Sequence, residues 1–467
     1  MPSKREKKLT FGNSSKIVTA QLPFFENFFS DTQSLQDLNT IGVSKKPNSY
    51  SLNLEVANDY QNICVDCKGG KMLCGRLRCP ILAKVQTFKE LAPEIQKKDL
   101  FGASPPSVFV GRVNYPNVSV GPMVPPETSG NTSLFDDTEQ WFGLSQKKIL
   151  ELRMKLVRAK FKANVKDLSN TNKLLELTQE IGLAKQSIES EVGLKKFPTH
   201  KLKLDDSIQP MGPTAPLTSL SLGTSKTDHQ LEKYYSDTDL LAKNAILELK
   251  KNGTKQTDIT RAFSLGLFGI GKTRKMVPTR WSITAVDSTL GLDYWKKIQQ
   301  YPVIDEIRIF ESTYMANRFI IMMLPSTWKY ELMEAWFPNS AWNPGRNIAL
   351  VNDYEGYKGR KTYASIGGCY YSGRNMVGEY LTNEGKQASI VIMRETYPGQ
   401  DMPMGVWLVR EMIRKALEFP YVKFDTKKDA FEHLKSRFLI DPTYWKAHSG
   451  VYNMNSEKIQ YNLQRFF

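Results

Sequence analysis

Apolar residues recur along this chain in two rhythms, and each predicts a different element. Around 108–113 and 118–120 they alternate with polar residues, the period-two signature of half-buried strands, with a Tyr-Pro-Asn turn between the runs. After Ser145, a residue suited to capping a helix, Ile149, Leu152 and Leu156 repeat at helical spacing and predict a helix to about Lys162. The other face of that helix carries Lys147, Lys148, Arg153, Lys155, Arg158 and Lys160, a nearly all-positive set able to track phosphates. A second helix is predicted over about 170–191. The stretch 198–230 is rich in Pro, Gly, Ser and Thr, includes Pro210-Met-Gly-Pro213, and reads as a connection. Helices follow from Asp237 or Asp239 to about Lys251, and over 258–265. From Trp281 the pattern shifts to strands at 281–286, 303–310, 314–324, 328–336, 347–352 and 388–394, closed by helices near 404–417 and 427–438. The expected class is α+β, with a helical and loop-rich first half, a strand-rich second half, a flexible C-terminal tail and no tandem repeat.

Composition sharpens this. The chain of 467 residues is 40% hydrophobic and 11% aromatic, ample for packed cores, which excludes a wholly disordered polymer. Lys and Arg outnumber Asp and Glu by 64 to 48, a formal charge of +16, and a surplus of that size favours a polyanionic partner, nucleic acid first among them, over the alternative of a well-solvated basic surface. The longest apolar run, near 319–324, falls far short of the roughly 18 residues a membrane span needs. The start, Met1-Pro-Ser-Lys-Arg-Glu-Lys-Lys, is followed by no apolar segment of the kind a secretory signal carries. A cytoplasmic, nucleoid-associated protein without membrane contact is expected. Residues 1–46 read as a basic arm holding one apolar knot, in which Phe25, Phe28 and Phe29 follow Leu22; a helix face packed on the body is the preferred reading and a degenerate docking element the alternative.

Four of the five cysteines fall close together: Cys64-Val-Asp-Cys67, then Cys74, then Cys79. A tetrahedral ion needs four soft ligands at about 2.3 Å, and a CxxC turn supplies two of them at once. Gly69, Gly70 and Gly75 lie where the backbone must bend back toward a metal. Structural zinc is the preferred reading; an iron–sulfur cluster and a metal-free segment are the alternatives, and a reducing compartment disfavours disulfides. Cys369, bounded by Gly367 and Gly368, reads as a small core residue.

Other motifs carry less chemistry. Gly266-Leu-Phe-Gly-Ile-Gly271-Lys272-Thr273 matches the phosphate-loop pattern, but a helical segment precedes it and Pro278 follows within about one turn, so the required strand-to-helix context is missing. With four histidines, His200, His229, His433 and His448, there is neither HExxH nor a G-x-S-x-G elbow. Glu248-Leu-Lys250 has a nuclease-like spacing on a helix, where the two side chains diverge. The pairs Asp136/Asp137, Asp205/Asp206 and Asp353/Glu355 are ordinary loop carboxylates able to hold Mg²⁺. More informative is Val277-Pro-Thr-Arg280-Trp281-Ser-Ile-Thr-Ala-Val-Asp287, where a planar cation and an aromatic face stand beside each other and a carboxylate follows. Such groups suit a nucleotide, a phosphate or a single strand. The opposing interpretation is a buried Arg280–Asp287 ion pair with Trp281 in the core. Arg112, Arg280, Trp281 and Asp287 form the candidate nucleic-acid or nucleotide-binding set; catalytic residues are not identified, and whether the body is an enzyme stays open.

The chain ends in Gln460-Tyr-Asn-Leu463-Gln-Arg-Phe466-Phe467. One 3₁₀ turn places Leu463 and Phe466 on the same side, with Phe467 beside them and the Gln460 amide at the rim. Burying the three apolar side chains gains roughly 1.5–3 kcal/mol each, from which ordering the tail subtracts about 2–5 kcal/mol. The pattern resembles the motif by which replication and repair proteins dock on the sliding clamp, PCNA. The competing arrangement is a tail folded back on its own domain.

Together these segments resemble the Nre family of archaeal DNA repair proteins. The resemblance rests on the Cys-x2-Cys pair with Leu73-Cys74-Gly-Arg-Leu-Arg-Cys79-Pro, on 104–126, on Pro210-Met-Gly-Pro213, on 277–287, on Gly367-Gly368, and on Pro403-Met-Gly-Val-Trp407-Leu-Val-Arg410-Glu411. It implies an N-terminal domain over about 47–295 containing the cysteine module, a C-terminal domain over about 296–450 and a clamp-binding tail at 451–467. It further implies DNA repair at the clamp, with Cys64, Cys67, Cys74 and Cys79 as metal ligands and Gln460, Leu463, Phe466 and Phe467 as the clamp motif. Cys369 departs from the small residue, such as glycine, expected there. The alternative function is a nucleic-acid- or nucleotide-processing enzyme with its site in the 280–287 segment.

Overall fold

The computed structural model describes residues 67, 71–76, 78–126, 130–168, 172–199, 211–343, 345–403 and 405–456. The basic arm, Cys64, Asp205/Asp206 and the tail residues Gln460, Leu463, Phe466 and Phe467 lie outside the described residues. Where it is described, the chain is α+β, as expected, and builds two six-stranded sheets.

The first half begins with helix α1 (Pro80–Ile95), followed by strands β1 (Asp99–Ser104), β2 (Val108–Val110) and β3 (Asn117–Val124). Helix α2 (Gln146–Lys155), β4 (Val157–Asn164), helix α3 (Lys173–Leu183), β5 (Ile188–Leu194) and β6 (Thr214–Leu222) come next. The strand order is β1-β5-β6-β4-β3-β2, antiparallel except where β4 runs parallel to β6. The Tyr-Pro-Asn hairpin predicted between β2 and β3 is present, with Val110 opposite Val120.

Ser145 does cap α2, its hydroxyl accepting from the Lys148 N–H at 3.2 Å, but the helix stops at Lys155 rather than Lys162. Beyond it Val157, Ala159, Phe161 and Ala163 alternate with Arg158, Lys160 and Lys162. A strand puts each set on its own face, and β4 follows that period. The helix predicted to about 191 likewise ends at Leu183, because Ile188, Ser190, Val192 and Leu194 alternate buried with exposed as β5. The supposed connection 198–230 contains β6 and the start of a helix.

Helices α4 (His229–Ser236), α5 (Ala242–Lys251) and α6 (Gln256–Ser264) lead to α7 (Thr279–Ile298). This last helix corrects the strand predicted at 281–286. The β-branched run favoured a strand, yet Pro278 opens a helix, its carbonyl accepting from the Trp281 and Ser282 N–H groups at 2.8 and 3.0 Å. The second half continues with β7 (Ile307–Tyr314), β8 (Asn317–Leu324), β9 (Lys329–Trp336), β10 (Ala349–Glu355), α8 (Gly368–Glu384) and β11 (Ser389–Thr396). It closes with α9 (Val406–Glu418), β12 (Val422–Phe424) and helices α10 (Lys427–Lys435), α11 (Pro442–His448) and α12 (Gly450–Ser456). Its sheet order is β10-β9-β11-β8-β7-β12, with β9 and β11 parallel.

Helix α8 escaped the sequence reading because residues 369–378 are buried on every side, which leaves no polar face to betray a period. It packs closely on α7: a Cβ at Gly291 would lie 3.4 Å from the Asn375 backbone, and one at Gly378 3.0 Å from Tyr294. Cys369 sits in this helix, fully buried, as a core residue. The halves share a core in which Trp141 of the first meets Trp407 of the second edge-on at 5.3 Å, and the Tyr314 hydroxyl donates to the Trp141 carbonyl at 3.1 Å. Among the described residues no helix is long and apolar enough to cross a membrane.

Candidate nucleic-acid interface

A cleft of about 1690 Å³ lies where the first sheet, the N-terminal end of α7 and the second half meet. One tie across it joins the first sheet to α7: the Val110 N–H at the end of β2 donates to the Thr279 hydroxyl at 2.9 Å. That bond sets Arg112, just past β2, on the same cleft as Arg280 and Trp281 in the first turn of α7. Three of the four candidate binding residues therefore share one wall.

The fourth does not join them. Asp287, two turns further along α7, is fully buried behind the cleft. It accepts from Arg410 Nη2 at 2.5 Å, Gln256 Nε2 at 2.6 Å and Asn375 Nδ2 at 2.9 Å. It is a joint between α6, α7, α8 and α9, not a group presented to a ligand. The alternative of an Arg280–Asp287 ion pair is corrected too: the ionic partner of Asp287 is Arg410, and Trp281 is 41% exposed rather than in the core.

Aromatic rings crowd the cleft. Tyr115 in the β2–β3 turn stands 5.4 Å from Trp281, and Tyr115 is itself largely exposed. Tyr363 and Tyr371 pair at 5.2 Å, and both line the cleft. Such rings offer faces on which unpaired bases stack. Along the walls the cations outnumber carboxylates ten to four, Lys84, Lys160 and Lys185 among them. Several are held by acids: Arg153 by Asp136, Lys255 by Asp137 at 2.7 Å, and Arg261 by Asp258 at 2.6 Å. Burial pushes the Asp136 carboxyl above its ordinary range, against the pull of Arg153 and of the Ser107 hydroxyl, which donates to it.

Arg158, at the head of β4, is treated differently. Its backbone N–H donates to the Pro213 carbonyl at 2.8 Å, its Nε–H to the Gly212 carbonyl at 3.1 Å, and its Nη1 to the Met211 sulfur at 3.3 Å. The guanidinium carbon lies 5.8 Å from the centre of the Phe109 ring. Burial, with a smaller contribution from the nearby Arg153 charge, lowers its pKa to about 10. Helical spacing places Arg158 on a positive helix face, whereas it stands on a strand. The alternation in β4 was the signal that would have found it.

The pair Asp353/Glu355 is taken up within the protein. Asp353 accepts from Arg360 and Ser365, and Glu355 from Arg374 and the Trp328 indole. The phosphate-loop match at 266–273 lies between α6 and a 3₁₀ turn at Gly271–Thr273, not between a strand and a helix, as its context foretold. Glu248 and Lys250 both sit on α5, and Lys250 pairs with Glu379 at 2.7 Å.

The described part of the cysteine module docks on the second half. Arg76 is buried and its Nη2 donates to the Ser340 and Ala341 carbonyls at 3.2 and 2.5 Å. Gly75, at φ +69°, presses against Asn339, where a Cβ would stand 2.6 Å from the Asn339 Oδ1. Cys74 and Cys79 are buried free thiols, and Cys67 is buried beside them in the sequence module. Among the described residues no three histidine, cysteine or carboxylate side chains converge as a metal-ligand group.

Residues 73–343 match the family model described as archaeal Nre, N-terminal, and residues 355–466 the model described as archaeal Nre, C-terminal. Over 384 residues the chain is 39% identical to a DNA repair protein NreB of Archaeoglobus fulgidus, covering 82% of this chain and 95% of the relative. It is 35% identical to NreA of the same organism over 385 residues, again 82% and 95% of the two chains. To a DNA repair protein NreA of Haloferax volcanii it is 33% identical over 360 residues, 75% of this chain and 86% of that one. No solved structure matches.

Proposed function

The chain belongs to the archaeal Nre family, and from that premise we propose that it is a DNA repair protein that holds DNA, with unpaired bases, in the cleft between its halves. One observation carries this reading. Segments far apart in sequence, on which the family resemblance rests, meet at the cleft: 105–113, Met211 and Gly212, 278–281, Gly368, and Gly405 through Trp407 with Arg410. They bring cations for the phosphates and exposed rings for the bases, the combination that single strands require. Fluorescence anisotropy with a single-stranded oligonucleotide tests it. Arg112→Ala combined with Arg280→Ala is expected to weaken binding at least tenfold; unchanged affinity overturns the reading.

In this proposal the tail recruits the protein to the sliding clamp, with Gln460, Leu463, Phe466 and Phe467 as the docking residues. Phe466→Ala with Phe467→Ala should abolish co-elution with the clamp and leave oligonucleotide binding intact. Co-elution that survives would reject the recruitment step. Cys64, Cys67, Cys74 and Cys79 supply an all-thiol donor set suited to structural zinc rather than to a hard cation. About one zinc per chain, lost in Cys74→Ser with Cys79→Ser, is expected by elemental analysis, and a zinc-free wild-type protein refutes that assignment. An enzymatic role near Arg280 is disfavoured because Asp287, the acid it would have used, is enclosed by Arg410, Gln256 and Asn375.

A further inference from the structure

We propose that Arg158 is the floor of a phosphate-binding subsite in the cleft, built by β4, the Phe109 ring and the Met211–Gly212–Pro213 turn. The inference deepens the nucleic-acid reading by naming the group that this part of the cleft takes.

The guanidinium is positioned, yet its charge is not met. Each of its protein partners, the Gly212 carbonyl, the Met211 sulfur and the Phe109 ring, lacks a formal negative charge. The carboxylate of Asp136, which also lines the cleft, is engaged elsewhere, by Arg153 and Ser107. The second positive charge, on Arg153, raises the cost of keeping Arg158 charged in a half-buried place. An arginine held there for packing alone would be expected to carry a carboxylate.

The donors left over point the same way. A guanidinium has five N–H groups, and the described contacts engage one on Nε and one on Nη1. Nη2 has no hydrogen-bond partner among the described residues, although it is not sealed from solvent. With Nε held by a backbone carbonyl and Nη1 by the Met211 sulfur, the guanidinium is fixed in place and Nη2 is left to donate to phosphate oxygens.

The turn that holds it is built for the purpose. A Cβ at Gly212 would lie 1.8 Å from the Leu156 carbonyl oxygen and 2.8 Å from that of Arg153. Only glycine lets the turn lie against the end of α2, where its carbonyl reaches Nε of Arg158. This accounts for the glycine of Pro210-Met-Gly-Pro213, a motif to which the sequence alone assigned no role.

A phosphate here belongs either to a DNA strand or to a free phosphate or nucleotide. The test on wild-type protein is modification by phenylglyoxal, read by peptide mass spectrometry with and without inorganic phosphate. Arg158 is expected to be protected at least fivefold by phosphate, and no protection overturns the subsite. In parallel, Arg158→Gln and the charge-keeping Arg158→Lys are titrated with inorganic phosphate and with one single-stranded oligonucleotide bearing either a 5′-phosphate or a 5′-hydroxyl. Loss of at least tenfold in affinity for both oligonucleotides places an internal phosphodiester on Arg158; loss for the phosphorylated one alone places a terminal phosphate there. Loss for inorganic phosphate, with no oligonucleotide bound by any form, keeps the subsite but removes the nucleic-acid reading. If both variants bind every probe as the wild type does, while Arg280→Ala weakens the oligonucleotides, the nucleic-acid reading stands and the subsite falls.

Discussion

The two sheets have the same number of strands and one parallel pair each, yet they meet water very differently. In the second, β9 and β11 are buried at every position, and β8 at all but one, because clusters of apolar side chains cover both faces. In the first, β4, β5 and β6 alternate between buried and accessible positions, and β4 turns its accessible set, Arg158 and Lys160, toward the cleft. Charges in the sealed sheet must find partners inside the protein. Charges on the open sheet can wait for a ligand. The same residue type thus has two uses: Arg394, fully buried, serves Glu334 at 2.7 Å and the Asn317 amide oxygen at 2.7 and 2.9 Å, while Arg158 is braced by uncharged groups.

The largest effect should come from breaking the sealed side. Arg394→Ala strands the Glu334 carboxylate in the interior and is expected to destabilise the fold by about 3–5 kcal/mol. Arg158→Gln, which gives up two hydrogen bonds to uncharged partners and the contact with the Phe109 ring, should cost less, about 1–2 kcal/mol. Urea unfolding of the two variants side by side checks this; equal losses would erase the distinction between the sheets.

A second test uses acid. Burial pushes the Glu395 carboxyl up to about 7, against hydrogen bonds from the Tyr397 hydroxyl and the Leu439 and Ile440 N–H groups, whereas the same group titrates near 4.5 when unperturbed. The folded protein therefore holds the extra proton between those values. The resulting stabilisation, about 3 kcal/mol, is fully present below pH 4.5 and is lost as pH rises through 7. Glu395→Gln should flatten the pH dependence of the urea midpoint across that window, and an unchanged profile would show that Glu395 stays ionised.

On the open side, Trp281→Ala should weaken single-strand binding by about 1–3 kcal/mol, the usual worth of one stacked base, with a smaller change in stability because the residue is exposed rather than in the core. A loss of stability with binding intact would move Trp281 to the sealed class.

The same contrast explains what could be read in advance. The strands of the second sheet were legible as apolar runs, and Ser145 as a cap, since both signals are local. Arg280 and Trp281 were recognisable as binding chemistry even though the element carrying them was mistaken for a strand. The β-branched run opened by Pro278 is a helix that packs closely along α8, a tertiary contact that a window of sequence does not contain. Arg158 was visible as charge but not as a site: its meaning depends on Met211 and Gly212, more than fifty residues away. The resemblance to the Nre family, by contrast, rested on short motifs whose convergence on one cleft emerged only from the fold.

The most direct test is the salt dependence of single-strand binding. Plotted as log affinity against log salt concentration, the wild type should fall steeply, and Arg158→Gln and Arg112→Ala should each reduce the slope by about 0.7, one phosphate contact apiece. A wild-type affinity indifferent to salt, or variants that keep the full slope, would contradict a cleft that grips DNA by its phosphates.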